Sequence, residues 1–260
     1  MATIIDMQGV SWKRQKENIL YNVNWQVYQG EHWAVLGLNG SGKTTLLNMI
    51  NGYIWPTQGK VSVLDQSFGK TDLRELRKSI GWVSSSLQEK VKVTDNTEDV
   101  VISGKYASIG LYENPNNEDY QKAFKIMDKL GSGHLIGRAY QTCSQGEKQK
   151  ILIARGLMGS PELLILDEPC NGLDFHSREE LMSSVKQLAM QKYGPTIIYV
   201  THHTEEILPV FSHTLLIHQG TIFDKGETAN ILTSENLSRF FEMTVEIKWH
   251  KERAWMTLQN

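Results

Sequence analysis

The stretch GLNGSGKTT, Gly37 to Thr45, decides how this chain is read. It fits the pattern G-x-x-x-x-G-K-[ST] and stands between the apolar run HWAVL and the periodic segment LLNMI. A buried strand is therefore expected to turn through it into a helix. Gly37, Gly40 and Gly42 let the backbone curl until its N–H groups face a polyphosphate, and the helix start adds a favourable dipole. Lys43 supplies a mobile positive charge to the outer phosphates, and the Thr44 hydroxyl suits Mg²⁺. The nucleotide-binding set expected here is Gly37, Asn39, Gly40, Ser41, Gly42, Lys43, Thr44 and Thr45.

Around this loop the texture of the chain changes twice. Early on, TIIDMQGVSW, NVNWQVYQG and HWAVLG read as strands, an antiparallel start leading into a buried strand. KVSVLD and SIGWVSS read as further strands, with the helical TDLRELRK between them. From about residue 88 to 158 helical patterns dominate, in NTEDVVISGKYASI, NNEDYQKAFKIMDKLG and SQGEKQKILIARGLM, as expected of a helical subdomain inserted into an α/β body. The α/β pattern then returns with ELLILDEP, the helix SREELMSSVKQLAMQK, and TIIYVTHH. HTLLIHQGTIFDKG reads as a hairpin turning at Gln219-Gly220, and the tail from Thr244 alternates like a terminal hairpin. Residues 1–235 are read as one domain and 236–260 as a C-terminal extension.

Composition narrows the function classes. The 260 residues suffice for a sizeable core, and 27 Lys+Arg against 29 Asp+Glu leave no basic excess for bulk nucleic-acid binding. The 2 cysteines are too few for a disulfide framework, which suits a reducing cytosol. No apolar run reaches the roughly 18 residues that a spanning helix needs, so any membrane role is expected to come through a partner.

Two further strand ends carry polar groups. In LLILDEP, Leu163 to Pro169, four successive apolar residues indicate a strand buried on both faces, with carboxylates where it emerges. Asp167 is placed to hold magnesium, directly or through water, and Glu168 to polarise an attacking water. In TIIYVTHH, His202 is placed to hydrogen-bond a γ-phosphate. Because adjacent strand residues point to opposite faces, His202 and His203 are not expected to share a metal.

These motifs, in this order, resemble the ABC ATPase family of ATP-binding subunits over roughly Ile4 to Leu232. The resemblance implies a P-loop NTPase core of mostly parallel sheet, with an antiparallel β subdomain and an inserted α-helical subdomain. In its terms GLNGSGKTT is Walker A, LLILDE is Walker B, Asn171 to Asp174 is the D-loop and His202 the switch histidine. The family signature, Leu-Ser-Gly-Gly-Gln, falls at Cys143-Ser144-Gln145-Gly146-Glu147. Ser144 followed by Glu147 is a capping box, so a helix begins there with free N–H groups. Gly146 is expected to leave room for a phosphate, and Glu147 to reach back to the cap backbone or a neighbouring cation. By resemblance, Ser144, Gly146 and Glu147 close over ATP held by a second copy in a head-to-tail dimer.

Two positions depart from the family. Its glutamine after the strand that follows Walker A is Ser85 here, with Gln88 three residues on. Either Ser85 ligates the metal through its hydroxyl or the loop lets Gln88 reach in. Where the family stacks an aromatic residue on adenine, the register gives Arg14, with Trp12 two residues earlier on the same strand face. The expected function is ATP hydrolysis, with ATP and Mg²⁺ bound, driving a membrane transporter of the prokaryotic importer kind through separate permease subunits at the cytoplasmic face of the membrane. A soluble ABC ATPase of an assembly complex, of the iron–sulfur type, is the alternative.

Overall fold

The computed structural model describes residues 2–92 and 94–259. Two compact units compose it, one running to Leu73 and resuming at Thr196, the other Arg74–Pro195.

The first unit opens with β1 (Thr3–Arg14) and β2 (Glu17–Tyr28), an antiparallel pair. Along β2, Val23, Trp25 and Val27 are buried while Asn22, Asn24 and Gln26 face solvent, the period of a sheet wet on one side. β3 (Trp33–Leu36) is instead buried at every position and leads through residues 37–42 into α1 (Lys43–Ile50). β4 (Gln58–Val63) and β5 (Gln66–Ser67) extend the antiparallel sheet in the order β2-β1-β4-β5.

The second unit is entered along α2 (Leu73–Lys78). β6 (Ile80–Val83) is followed by the short α3 (Ser85–Gln88), then α4 (Thr97–Ser103), α5 (Asn117–Lys129) and α6 (Gln145–Met158). Among the described residues no strand lies between β6 and β7 (Leu163–Asp167), which run parallel with Ile80 opposite Leu163 and Val83 opposite Leu166. α7 (Phe175–Ala189) completes the unit. The helices are tied together by a buried arginine: Arg155 on α6 donates to Ser103 Oγ at 3.3 Å and to the Ser108 carbonyl at 2.5 Å. Such a charge is tolerated inside because its N–H groups are hydrogen-bonded.

Back in the first unit, β8 (Thr196–Thr201) and β9 (His213–His218) flank β3, both parallel to it. β10 (Thr221–Glu227) returns antiparallel to β9 through Gln219 and Gly220, whose φ values of 47° and 76° make the tight hairpin turn expected of that dipeptide. Trp33 links the layers, stacking on His213 at 4.8 Å and meeting the edge of Trp25 at 5.7 Å. α8 (Thr228–Ile231) and α9 (Ser234–Phe241) precede the terminal hairpin of β11 (Val245–His250) and β12 (Arg253–Leu258). The protein is thus a mixed α/β fold whose buried strands pair mostly in parallel.

Candidate functional site

In the first unit, the loop from β3 to α1 is held open by its glycines. Gly42, the residue that caps α1, has φ 103°, and a Cβ there would lie 3.0 Å from Leu20 and 3.1 Å from the Ile19 carbonyl. A side chain at Gly42 would be strained in both backbone and packing. With no side chain capping α1 and no acidic residue in its first turn, the N–H groups of that turn face the loop. Lys43 is buried, its ammonium donating to the carbonyls of Gly37 (2.8 Å) and Leu38 (3.2 Å). Ser41 lies inside the loop, its N–H bonded to the Leu38 carbonyl and its buried hydroxyl without a partner. Thr44 is exposed; Gly37 is buried, Asn39 and Gly40 are exposed, and Thr45 is half-buried. The curled backbone, the first-turn N–H groups and the enclosed ammonium form an anion cradle.

β8 ends at Thr201, and His202 follows in a bend rather than on the strand. The expected separation of the two histidines therefore does not hold: their rings lie 4.2 Å apart, because the alternation of a strand stops where the strand does. Among the described residues no group of three or more His, Cys, Asp or Glu clusters as a metal site. Arg14 is exposed at the end of β1 and Trp12 is half-buried. Register irregularities on both sides of Trp12 break the two-residue alternation expected between these residues.

In the second unit, Leu163 to Leu166 are fully buried and the chain surfaces at Asp167 and Glu168. Glu168 has φ 49°, a left-handed conformation uncommon outside glycine. Such strain persists only where surrounding structure imposes it. Its carbonyl accepts from Asn171 N–H, and Asp174 caps α7 by accepting from Ser177 N–H at 2.9 Å and Ser177 Oγ at 3.0 Å. Those Ser177 bonds hold the Asp174 carboxyl below its ordinary value.

The capping box at α6 is present in full. Ser144 Oγ accepts from Glu147 N–H at 3.3 Å, and Glu147 Oε2 accepts from Ser144 N–H at 2.7 Å. The other carboxylate oxygen of Glu147 lies 3.6 Å from Arg138 and 3.4 Å from His134. Thus Glu147 is turned both to the cap backbone and to the neighbouring Arg138 cation and His134 ring. The Ser144 backbone bond is the main reason its carboxyl lies below the ordinary 4.5. Because the folded value is lowered, the carboxylate stabilises the fold above about pH 5, and that contribution disappears as pH falls below 4.5. Glu147→Ala is expected to cost about 0.3–1 kcal/mol at pH 7. The deficit against wild type should shrink in thermal melts at pH 4; a constant deficit would place the effect elsewhere.

The room expected at Gly146 for a phosphate is taken up otherwise. A Cβ there would lie 3.0 Å from Ser177 Cβ and 3.1 Å from its Oγ, so this glycine lets α6 and α7 approach. The loop after β6 winds into α3, and Gln88 points its amide at α6, donating to Gln145 Oε1 at 2.8 Å and lying 3.5 Å from Gln149 Nε2. Ser85, at the start of α3, is exposed. Gln145 falls within the signature stretch but Gln149 in no motif, and pairing of Gln88 with Gln145 across 57 residues leaves no periodic signal.

The model of the family described as ABC transporter matches residues 20–171. An uncharacterized ABC transporter ATP-binding protein, YlmA, of Bacillus subtilis is 48% identical over 255 residues, covering 98% of this chain and 97% of that protein. The molybdate import ATP-binding protein MolC of Haemophilus influenzae is 33% identical over 244 residues, covering 94% of this chain and 90% of that protein. Among solved structures, an inward-facing transporter assigned to the metal-chelate ABC type superposes with a TM-score of 0.81 at 29% identity, covering 100% of this chain and 98% of that one.

Proposed function

The chain belongs to the ATP-binding subunits of ABC transporters and is an ATPase of that family, and from this premise we propose that it dimerises on ATP and powers import through separate permease subunits. The cradle around Lys43 carries the reading: a buried ammonium held by loop carbonyls beside open helix N–H groups exchanges those carbonyls for phosphate oxygens. Gly37, Asn39, Gly40, Ser41, Gly42, Lys43, Thr44 and Thr45 hold the β- and γ-phosphates, and Arg14 or Trp12 lies against the base. Thr44 and Asp167, with Ser85, offer the hard oxygen donors that Mg²⁺ takes alongside phosphates, where it would neutralise charge on the leaving oxygens.

Glu168 accepts a proton from the attacking water as that oxygen bonds to the γ-phosphorus and the bond to ADP breaks. His202 donates to the γ-phosphate and holds it in line. Ser144 and the backbone N–H group at Gly146, with Glu147 completing the cap that orients this helix start, face the γ-phosphate bound by a second copy, and the Glu147 carboxylate is kept away by its own cap. The permease supplies the membrane crossing, since no helix among the described residues is long and apolar enough to span a bilayer. The protein then works at the cytoplasmic face. The molybdate import protein among the relatives supports import of an oxyanion, and the metal-chelate type transporter supports a metal chelate as the alternative cargo.

The test is reconstitution: the tagged chain is purified with its membrane partners from detergent-solubilised membranes and placed in lipid vesicles. ATP-driven accumulation of molybdate or a metal chelate on the same side as the nucleotide supports the reading. Transport in the reverse direction overturns import. Recovery in water-soluble assemblies alone, with no permease, favours the assembly-complex alternative.

A further inference from the structure

The short turn that follows His202 is tied down from two sides, and the sequence marks neither tie. Thr201, the last residue of β8, donates from Oγ1 to Glu206 Oε2 at 2.6 Å. The same hydroxyl accepts from the His203 N–H at 3.0 Å. Tyr199 donates to the same carboxylate oxygen at 3.1 Å, and Glu206 is only 4% exposed. Residues Thr204–Glu206 form one turn of 3₁₀ helix, closed by Glu206 N–H to the His203 carbonyl at 3.3 Å and Ile207 N–H to the Thr204 carbonyl at 3.1 Å. From outside, Arg253 on β12 donates its Nε–H to the Glu205 carbonyl at 2.7 Å. The terminal hairpin is thereby joined to this turn.

We propose that Thr201, Glu206 and Arg253 are positioning residues for His202, and that the terminal hairpin is in this way part of the ATPase apparatus. This rests on the role given above to His202. The Thr201–Glu206 bond closes a six-residue loop in which His202 directly follows Thr201. The Thr201–His203 bond fixes the backbone on the far side of that histidine. A buried carboxylate with hydroxyl donors holds this closure in a water-poor setting, where a charge-assisted bond is strong. Arg253 keeps the turn against β12, so that displacement of the hairpin moves the turn that carries the histidine. A shift of about 1 Å in a group that must meet a reacting phosphate lowers rate on the order of 100-fold, while ground-state binding through the phosphate loop is untouched.

The experiment compares Thr201→Val, Thr201→Ser, Arg253→Met and His202→Ala by steady-state phosphate release and by nucleotide affinity, with circular dichroism to confirm folding. Thr201→Val should lower kcat at least about 10-fold with the ATP Kd within about twofold, and Thr201→Ser, which keeps the hydroxyl, should recover to within about threefold. Arg253→Met, on the surface hairpin, should lower kcat about 3- to 10-fold with the same unchanged Kd. It remains informative if Thr201→Val does not fold. If His202→Ala is inactive while folded Thr201→Val and Arg253→Met turn over like wild type, the positioning proposal falls and the role of His202 stands. Full turnover by His202→Ala overturns the role of His202 itself. Equal losses in kcat and affinity in Arg253→Met would mean that the hairpin supports the fold and not the histidine.

Discussion

Glu168→Gln is expected to lower ATP turnover by at least about 100-fold while leaving ATP bound, and to hold the protein as an ATP-dependent dimer on size exclusion. The amide matches the carboxylate in size but does not take a proton from water. Glu168 sits where four fully buried residues of β7 end, in a left-handed backbone at φ 49° that only the surrounding structure sustains. A glutamate set merely at a solvated strand end would have no need of such a conformation. Because glutamine meets the same backbone requirement, folding should be unaffected and the loss should fall on chemistry. A variant that stays monomeric with ATP, or one with wild-type turnover, would remove Glu168 from the general-base role.

The second large effect is expected at the capping box of α6. Ser144→Arg should abolish ATP hydrolysis, by about 100-fold or more, while ATP affinity changes less than about threefold. The substitution removes the hydroxyl that caps Glu147 N–H, while the backbone N–H that holds the Glu147 carboxylate at 2.7 Å stays in place. A helix start that presented N–H groups and a hydroxyl then presents a bulky side chain where the phosphate would approach. ATP binding at Lys43 depends on a loop held by the Lys43 ammonium on the Gly37 and Leu38 carbonyls and by the Gly220 N–H on the Ser41 carbonyl, contacts that do not involve Ser144. Ser144→Ala is the matched control, losing the cap alone at about 0.5–2 kcal/mol of stability. If Ser144→Arg loses binding and hydrolysis together, the assignment of this stretch to a partner's nucleotide is wrong.

Much of this architecture was legible in the chain because it depends on local pattern. The capping box needs only Ser144 and Glu147 at helical spacing, and the Gln219-Gly220 turn needs two residues that tolerate positive φ. Runs of consecutive apolar residues marked β3, β7 and β8 as buried strands, and the early β-rich stretches marked an antiparallel start. The loop at Gly37–Thr45 was legible for the same reason, each glycine and the lysine answering a requirement of the backbone it belongs to. Where the local rule lapsed, the reading lapsed with it: His202 and His203 share one side because β8 stops one residue before them.

By itself, then, the sequence determined the order of elements, the phosphate loop and the family resemblance, since each follows from contacts between near neighbours along the chain. Only the tertiary structure decided that Gly146 accommodates Ser177 on the next helix and that Gln88 points to Gln145 rather than into the loop. Only the tertiary structure joined Arg253 to the turn after His202, across 48 residues. Those contacts bring together groups with no periodic relation in sequence, through packing that becomes defined once the distant elements have closed on one another.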